Sequence, residues 1–392
     1  MKHFEFLKTP KIIFGDGEIA RIGKIACQYG SKTLLIHGKH SFKSGPFGDA
    51  VFKSLADAGV SCFEFEVSGE PTPSLIDSAV QQFGNTPIHS VIAIGGGSVL
   101  DSGKAISAML PEHGQVIDYL EIIGNTTPNG KKIPFIAVPT TSGTGSEATA
   151  NAVISRIGIN GFKCSLRHTN YIPDIALVDP RLSLQCPPDI TAACGMDALT
   201  QLIESYVSTK ASPVTDSLVE KALPLAGAHL VNAFKNGATD INARTGMAYA
   251  SLISGITLAN AGLGVVHGLA SILGAAYPIP HGVACGTLLA AATKCSINKL
   301  QQSASGSAGL TKYASAARLL TGKALPDTAE ACRALIDYLE NLTQVLEIKM
   351  LSDYGIKNEH FYFLLNDNNC NKNNPVQLTQ NEIMEFLTYR TV

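Results

Sequence analysis

One junction constrains the fold of this chain more than any other. The apolar run Val91–Ile94 leads directly into Gly95-Gly96-Gly97-Ser98, and a helical segment carrying Asp101 and Lys104 follows without a break. Glycines permit a tight turn and close backbone approach, and the first N–H groups of a helix lack intrahelical partners. Strand, glycine turn and helix in succession therefore form a seat for an anion, the place where a pyrophosphate lies in an α/β sheet. Ser98 is placed to cap the helix. The spacing is not GxGxxG, so the seat is read from its position after a buried strand, against the plainer reading of a tight turn.

A second turn of this kind follows the apolar run at 133–138. It reads Pro139-Thr140-Thr141-Ser142-Gly143-Thr144-Gly145-Ser146-Glu147 and offers several hydroxyls and flexible amides to a diphosphate or a carboxamide. A third strand end reads Ile36-His37-Gly38-Lys39-His40-Ser41. An acidic residue near a strand end commonly takes the ribose 2′-hydroxyl of a dinucleotide, and here there is none. Gly38 leaves room, and Lys39, His40 and Lys43 supply positive charge that would tolerate a 2′-phosphate; a solvated basic loop is the competing reading. NAD and NADP are both compatible with this end.

The surrounding pattern agrees with these turns. Strands are predicted at 33–36, 61–66, 90–94, 133–138 and 174–178, with helices at 45–59 and 73–84 between them. Strands alternating with helices imply right-handed βαβ units and a parallel sheet. After Pro180 the β-branched runs thin out, and helical patterns follow at 190–208, 213–235, 242–260, 262–276, 282–297, 310–320 and 327–346, with a last helix at 379–389 beyond the polar stretch 366–374. The expected organisation is an α/β dinucleotide-binding domain over 1–180 and an all-helical domain over 181–392, divided at the Asp179-Pro180 turn.

Composition excludes several classes of function. With 30 Lys+Arg against 32 Asp+Glu the net charge is −2, too little positive field for nucleic acid, and the absence of Trp removes one stacking platform. Only 16% of the 392 residues are charged, which implies a large core and a homodimer or larger assembly. The nine cysteines are scattered with no CxxC pair, the pattern of reduced thiols in a cytoplasmic protein. The N-terminus shows no apolar signal region. The stretch 246–277 is apolar enough to raise a membrane question, but Asn260, His267 and recurrent glycines make it a buried helix pair.

In the helical half a few polar residues interrupt apolar patterns. Asp197 and Gln201 are four apart and share a helix face; His267 sits in a glycine-rich apolar helix, and His281 follows Pro278-Ile279-Pro280. Each alone has a structural reading, as a helix-start charge, a surface amide or a hydrogen-bonded core histidine.

Taken together, GGGSVLDSGKA (95–105), PTTSGTGSE (139–147), PDIALVDP (173–180), GMDALTQLIESY (195–206), VHGLASILGAAYPIPHG (266–282) and NNP (373–375) resemble the iron-containing (group III) alcohol dehydrogenase family, in family order across nearly the whole chain. The resemblance implies a Rossmann-like domain followed by a helical domain, in the architecture of dehydroquinate synthase. It implies NAD(P)-dependent interconversion of an alcohol and an aldehyde or ketone, with a divalent metal, Fe²⁺ or Zn²⁺, in the cleft. It places the cofactor against Gly95, Gly96, Gly97, Ser98 and Asp101, with the diphosphate on Gly96, Gly97 and Ser98, the nicotinamide side at Thr140, Thr141 and Thr144, and Lys163 near the ribose. Its metal rests on an Asp and three His. These positions are Asp197, Gln201, His267 and His281 here, so Gln201 departs from the pattern. A further family histidine near the nicotinamide is Ser271, expected at most to pass a proton through water. A neutral amide oxygen is a poorer ligand than imidazole, so looser metal binding is expected. A dehydroquinate synthase-type lyase or cyclase, and a nucleotide-binding protein without catalysis, are the alternative readings.

Overall fold

The computed structural model describes residues 3–39, 42, 47–112, 114–158, 160–303, 306–365 and 370–391. His40 and Lys43, named above as charges that would tolerate a 2′-phosphate, lie outside the described residues with Ser41, as do 366–369 of the polar stretch.

Eight strands occur among the described residues: β1 (Lys11–Phe14), β2 (Lys32–Gly38), β3 (Ser61–Val67), β4 (Ser90–Gly95), β5 (Phe135–Pro139), β6 (Asn151–Arg156), β7 (Phe162–Arg167) and β8 (Ile175–Val178). Six of them form one parallel sheet in the order β1-β8-β5-β4-β2-β3, and β6 and β7 pair as a separate antiparallel hairpin. Every residue of β4 and β5 is buried, as continuous apolar runs in the middle of a parallel sheet require. Alternate residues serve opposite faces. Val91, Ala93, Phe135 and Ala137 join one core with Leu100 and Ile106; Ile92, Ile94, Ile136 and Val138 join another with Ile22 and Leu55.

The helices that cover this sheet are α1 (Ile22–Ala26), α2 (Gly48–Asp57), α3 (Pro73–Phe83) and α4 (Gly97–Met109). From β2 the chain winds outward to β3, then returns to lay β4 on the other side of β2 and continues to β5. The winding direction thus reverses between β2 and β4. A crevice opens outside the carboxyl ends of the strands at such a reversal. The glycine turn after β4 lies there because of strand order, not local composition.

β8 ends at Val178, and helices follow: α5 (Pro188–Val207), α6 (Pro213–Asn236), α7 (Ile241–Ala261), α8 (Val265–Ala276), α9 (His281–Gln301), α10 (Ser307–Thr321), α11 (Thr328–Val345), α12 (Asn358–Leu364) and α13 (Gln380–Thr388). Every residue of α5 from Gly195 to Val207 is buried, so this helix is a core element on all sides. α9 approaches it closely at Gly286, where a Cβ would fall 2.9 Å from the Cβ of Met196. The apolar stretch 246–277 is two largely buried helices, α7 and α8, bent by 99°. Among the described residues no single helix is long and apolar enough to cross a membrane.

β1, α1, the β6–β7 hairpin and α12 are additions to the elements expected from the sequence. β1 is four residues at a sheet edge and only half covered, too short to show a period; the hairpin strand Phe162–Arg167 does alternate apolar and polar, but the hairpin stands apart from the parallel sheet and its βαβ alternation. The expected cap is also corrected. Gly96 is the N-cap of α4, in extended backbone with no side-chain cap, and Ser98 lies inside the first turn.

Candidate functional site

A cleft of about 1160 Å³ runs between the carboxyl ends of the sheet strands and the helical half. Gly96, Gly97, Ser98, Thr140, Thr141 and Thr144 line it from one side, Asp197 and His281 from the other.

The two glycine turns touch. A Cβ on Gly97 would fall 2.6 Å from Cγ2 of Thr144, and one on Gly96 would meet Thr141 at 3.4 Å. Any larger residue at 97 would push the second turn away from the first. The N–H groups of Val99 and Leu100 already donate to the Gly96 carbonyl, each at 3.0 Å. The N–H groups of Gly97 and Ser98 precede these bonds, at the start of α4, where a helix leaves its first N–H groups without intrahelical partners. The second turn is pressed in turn against α7. Gly145 has φ +60°, and a Cβ there would fall 2.4 Å from Cα of Gly255.

Beneath the turns lies a buried polar framework. The Lys104 ammonium is 1% exposed and donates to the Ser146 carbonyl (2.8 Å), Ser146 Oγ (3.1 Å), Thr149 Oγ1 (2.9 Å) and the Asn151 carbonyl (2.7 Å). Burial pulls its pKa down to about 8, against the opposing pull of Asp101 and Glu147. Asp101 accepts from Ser146 Oγ at 2.5 Å and from the Val153 N–H at 2.9 Å, so its carboxylate ties α4 to the second turn and the hairpin. Glu147 is buried, and burial pushes its carboxyl up to about 7. Lys163 pairs with Glu70 at 3.4 Å, and Glu70 lines the cleft beside Ser98, whose Oγ lies 3.5 Å from it. Gly38 ends β2, and Lys39 beyond it is exposed.

On the helical side, side chains from three helices converge. Asp197 (α5), His267 (α8), His281 and Cys285 (both α9) present donor atoms all within 4.8 Å of one another, a group able to hold a metal ion. Asp197 Oδ1 lies 3.2 Å from His267 Nε2 and 3.7 Å from His281 Nε2. Cys285 Sγ lies 3.6 Å from His267 Nε2 and 3.7 Å from His281 Nε2. Burial alone would raise the Asp197 carboxyl, but His281, His267 and the Gln201 amide outweigh it and hold it below its ordinary value. Burial opposes charge on His267, yet Cys285, Asp197 and Glu204 hold its proton well above the usual range. His281 is pushed down to about 3, chiefly by burial. Burial lifts the Cys285 thiol to about 11.

Glu204 organises this cluster from behind. Its Oε2 lies 2.7 Å from His267 Nδ1, and its Oε1 accepts the Val266 N–H at 2.7 Å, at the start of α8. A carboxylate on Nδ1–H leaves Nε2 facing the cluster, the arrangement common behind metal-binding histidines. Gln201 donates its amide N–H to Asp197 Oδ1 at 3.1 Å, and its amide oxygen accepts from Ser254 Oγ at 2.8 Å. The Ser271 hydroxyl donates to the His267 carbonyl at 2.9 Å, within its own helix.

Two residues of the site were missed from sequence. Glu204 had a signal: with Asp197 and Gln201 it makes the polar spacing i, i+4, i+7 on one face of an otherwise buried helix. Cys285 lies four residues after His281, so the two share a face of α9. In the sequence it is one of nine scattered thiols. All nine cysteines are free in the structure, but this one belongs to a cluster.

Comparison with known proteins bears on both halves. Residues 9–180 match the family model for iron-containing alcohol dehydrogenase, and residues 191–390 match that for the C-terminal part of the Fe-containing alcohol dehydrogenase family. The chain is 32% identical to the probable alcohol dehydrogenase EutG of Salmonella typhimurium, over 97% of this chain and 93% of that protein. It is 30% identical to the NAD-dependent methanol dehydrogenase of Bacillus methanolicus, over 97% of this chain and 98% of that one. Among solved structures, a 1,3-propanediol oxidoreductase superposes with a TM-score of 0.89 at 30% identity, covering 99% of this chain and all of the other. Two abutting glycine turns at a sheet reversal, facing a buried carboxylate and two imidazoles, are thus found in a chain that belongs to the iron-containing alcohol dehydrogenase family and is an alcohol dehydrogenase.

Proposed function

We propose that the chain interconverts a small alcohol and its aldehyde or ketone with NAD(P), using a divalent cation held by Asp197, His267 and His281. The observation that carries this reading is the convergence of these side chains, from three helices, at the edge of the cleft that the glycine turns line, with Asp197 and His281 in its wall. The donor chemistry fits a cation: a carboxylate held in its ionised range, imidazoles presenting Nε2, and a Glu204 carboxylate that sets one ring's tautomer. When bound, such a cation supplies Lewis acidity toward the substrate oxygen, while the nicotinamide supplies the hydride carrier.

The chain's own residues do the rest. The N–H groups of Gly97 and Ser98 hold the diphosphate, and Thr140, Thr141 and Thr144 form the wall beside the nicotinamide. Lys163, fixed by Glu70, stands toward the ribose. Asp101 acts through the framework, because its oxygens are engaged by Ser146 and Val153. Ser271 has no part in proton transfer on this reading, since its hydroxyl is spent on the His267 carbonyl. The lack of an acid at Gly38 and Lys39 supports acceptance of NADPH as well as NADH. The free thiols support a reducing, cytoplasmic setting, and exposed Phe4, Phe6 and Ile12 support a homo-oligomer.

Replacing Asp197 with Ala tests the reading. Metal content should collapse, and turnover on short alcohols should fall by at least about 10²–10³-fold, the scale of losing one electrostatic stabiliser of a transition state. NADPH should still bind. Full turnover by Asp197→Ala would refute a metal-centred reaction.

A further inference from the structure

We infer that Cys285 is the fourth metal ligand of this centre, filling the place in the donor set that Gln201 leaves, and that the resulting carboxylate, two-imidazole and thiolate set selects Zn²⁺ over Fe²⁺. The inference rests on the metal reading above and goes beyond it in naming a ligand and a metal.

The geometry comes first. A tetrahedral Zn²⁺ with oxygen, nitrogen and sulfur ligands at ordinary bond lengths separates its donors by about 3.3–3.8 Å. Four edges of that polyhedron can be read here. They are Asp197 Oδ1 to His267 Nε2 at 3.2 Å, Asp197 Oδ1 to His281 Nε2 at 3.7 Å, and Cys285 Sγ to the same two nitrogens at 3.6 and 3.7 Å. The sulfur therefore stands at a ligand's distance from both imidazoles.

Gln201 is differently engaged. Its oxygen, the only part of the side chain able to bind a cation, accepts from Ser254 Oγ. Its nitrogen faces Asp197. Turning the amide would set its oxygen against the Asp197 carboxylate and lose the bond that Gln201 donates to it. Gln201 thus orients Asp197, and the ligand count of four is restored from α9 instead. His281 and Cys285 are one turn apart on that helix, and the close approach of α9 to α5 at Gly286 brings the sulfur to Asp197.

Chemistry then chooses the metal. Thiolate is a soft ligand that favours Zn²⁺ over Fe²⁺, which prefers nitrogen and oxygen donors. On binding, the S–H bond of Cys285 breaks, its proton leaves to the buffer and the sulfur lone pair forms the metal bond. No oxidant or reductant is involved. Four protein ligands would complete the tetrahedron, so a substrate oxygen would be accepted only by expansion to five-coordination.

Spectroscopy on the full chain tests this, after chelator treatment and loading with Co²⁺. Wild type should show an intense near-ultraviolet sulfur-to-cobalt charge-transfer band that Cys285→Ala lacks. Zn²⁺ affinity should fall in Cys285→Ala by more than the about 10–100-fold expected when an outer partner such as Gln201 is replaced by Ala. Wild type that binds Co²⁺ with weak visible bands alone would overturn the thiolate ligand while leaving the metal reading intact. Larger loss in Gln201→Ala than in Cys285→Ala would do the same. Wild type that binds neither Co²⁺ nor Zn²⁺ would overturn both.

Discussion

The α/β half and the helical half build their shares of the cleft from different materials. At the sheet ends the useful groups are backbone N–H groups and small side chains in two short consecutive stretches, 95–98 and 140–145. In the helical half they are single side chains at 197, 204, 267, 281 and 285, carried by three helices. An anion seat needs an unobstructed turn, so its sequence is local and rich in glycine. A cation centre needs side-chain charge from several directions, so its sequence is dispersed. The first kind of site is damaged by adding atoms and the second by removing them.

That contrast can be broken from either side. The largest effect is expected behind the cation cluster. Glu204→Gln keeps the side chain's size but weakens its hold on His267 Nδ1, and should lower Zn²⁺ affinity about 10–100-fold, measured by chelator competition. NADPH affinity should not change. Loss of both together would mean that the two halves are coupled more tightly than the contact pattern implies.

A smaller effect is expected at the turn. A methyl on Gly97 would collide with Thr144, and spoiling one phosphate hydrogen bond costs about 1.5 kcal/mol, or about tenfold in cofactor Kd. Gly97→Ala should show this by fluorescence titration while retaining its metal content. Metal loss in Gly97→Ala would contradict the division of labour.

The smallest effect concerns the seam between the halves, where Glu147 is buried beneath the second turn, which presses on α7. Burial raises its carboxyl from 4.5 to about 7, so folding favours the protonated form. Its contribution to stability is present below about 4.5 and is lost as pH rises through about 7. Glu147→Gln, which stays neutral, should remove that decline. The difference in melting temperature between variant and wild type should grow by about 2–4 °C across this window. Parallel melting curves would show that Glu147 does not titrate there.

The sheet was legible because its central strands are unbroken apolar runs, as in β4 and β5, which strands covered on both faces must be. The edge strand β1 was not, because four half-covered residues are too few to show a period, and the hairpin was not, because it lies outside the βαβ alternation even though Phe162–Arg167 alternates apolar and polar. Asp197, His267 and His281 stood out as polar interruptions of apolar helices and through the family motifs. Cys285 did not, because a buried cysteine on an apolar helix behaves as a small hydrophobe until a neighbouring helix brings it to a ligand. Of the readings that the motifs left open, the family match selects the dehydrogenase over a lyase or a protein without catalysis.

By itself the sequence determined the alternation of strands and helices, the two glycine turns and the chemical types available in the helical half. These depend on interactions between near neighbours along the chain, where periodicity and turn chemistry act. Only the tertiary structure decided that the turns abut at the reversal between β2 and β4, that the Gln201 oxygen turns to Ser254, and that a sulfur 88 residues after Asp197 lies in the same cluster. Those outcomes rest on strand order and on the close approach of α9 to α5 at Gly286, distances that local sequence does not encode.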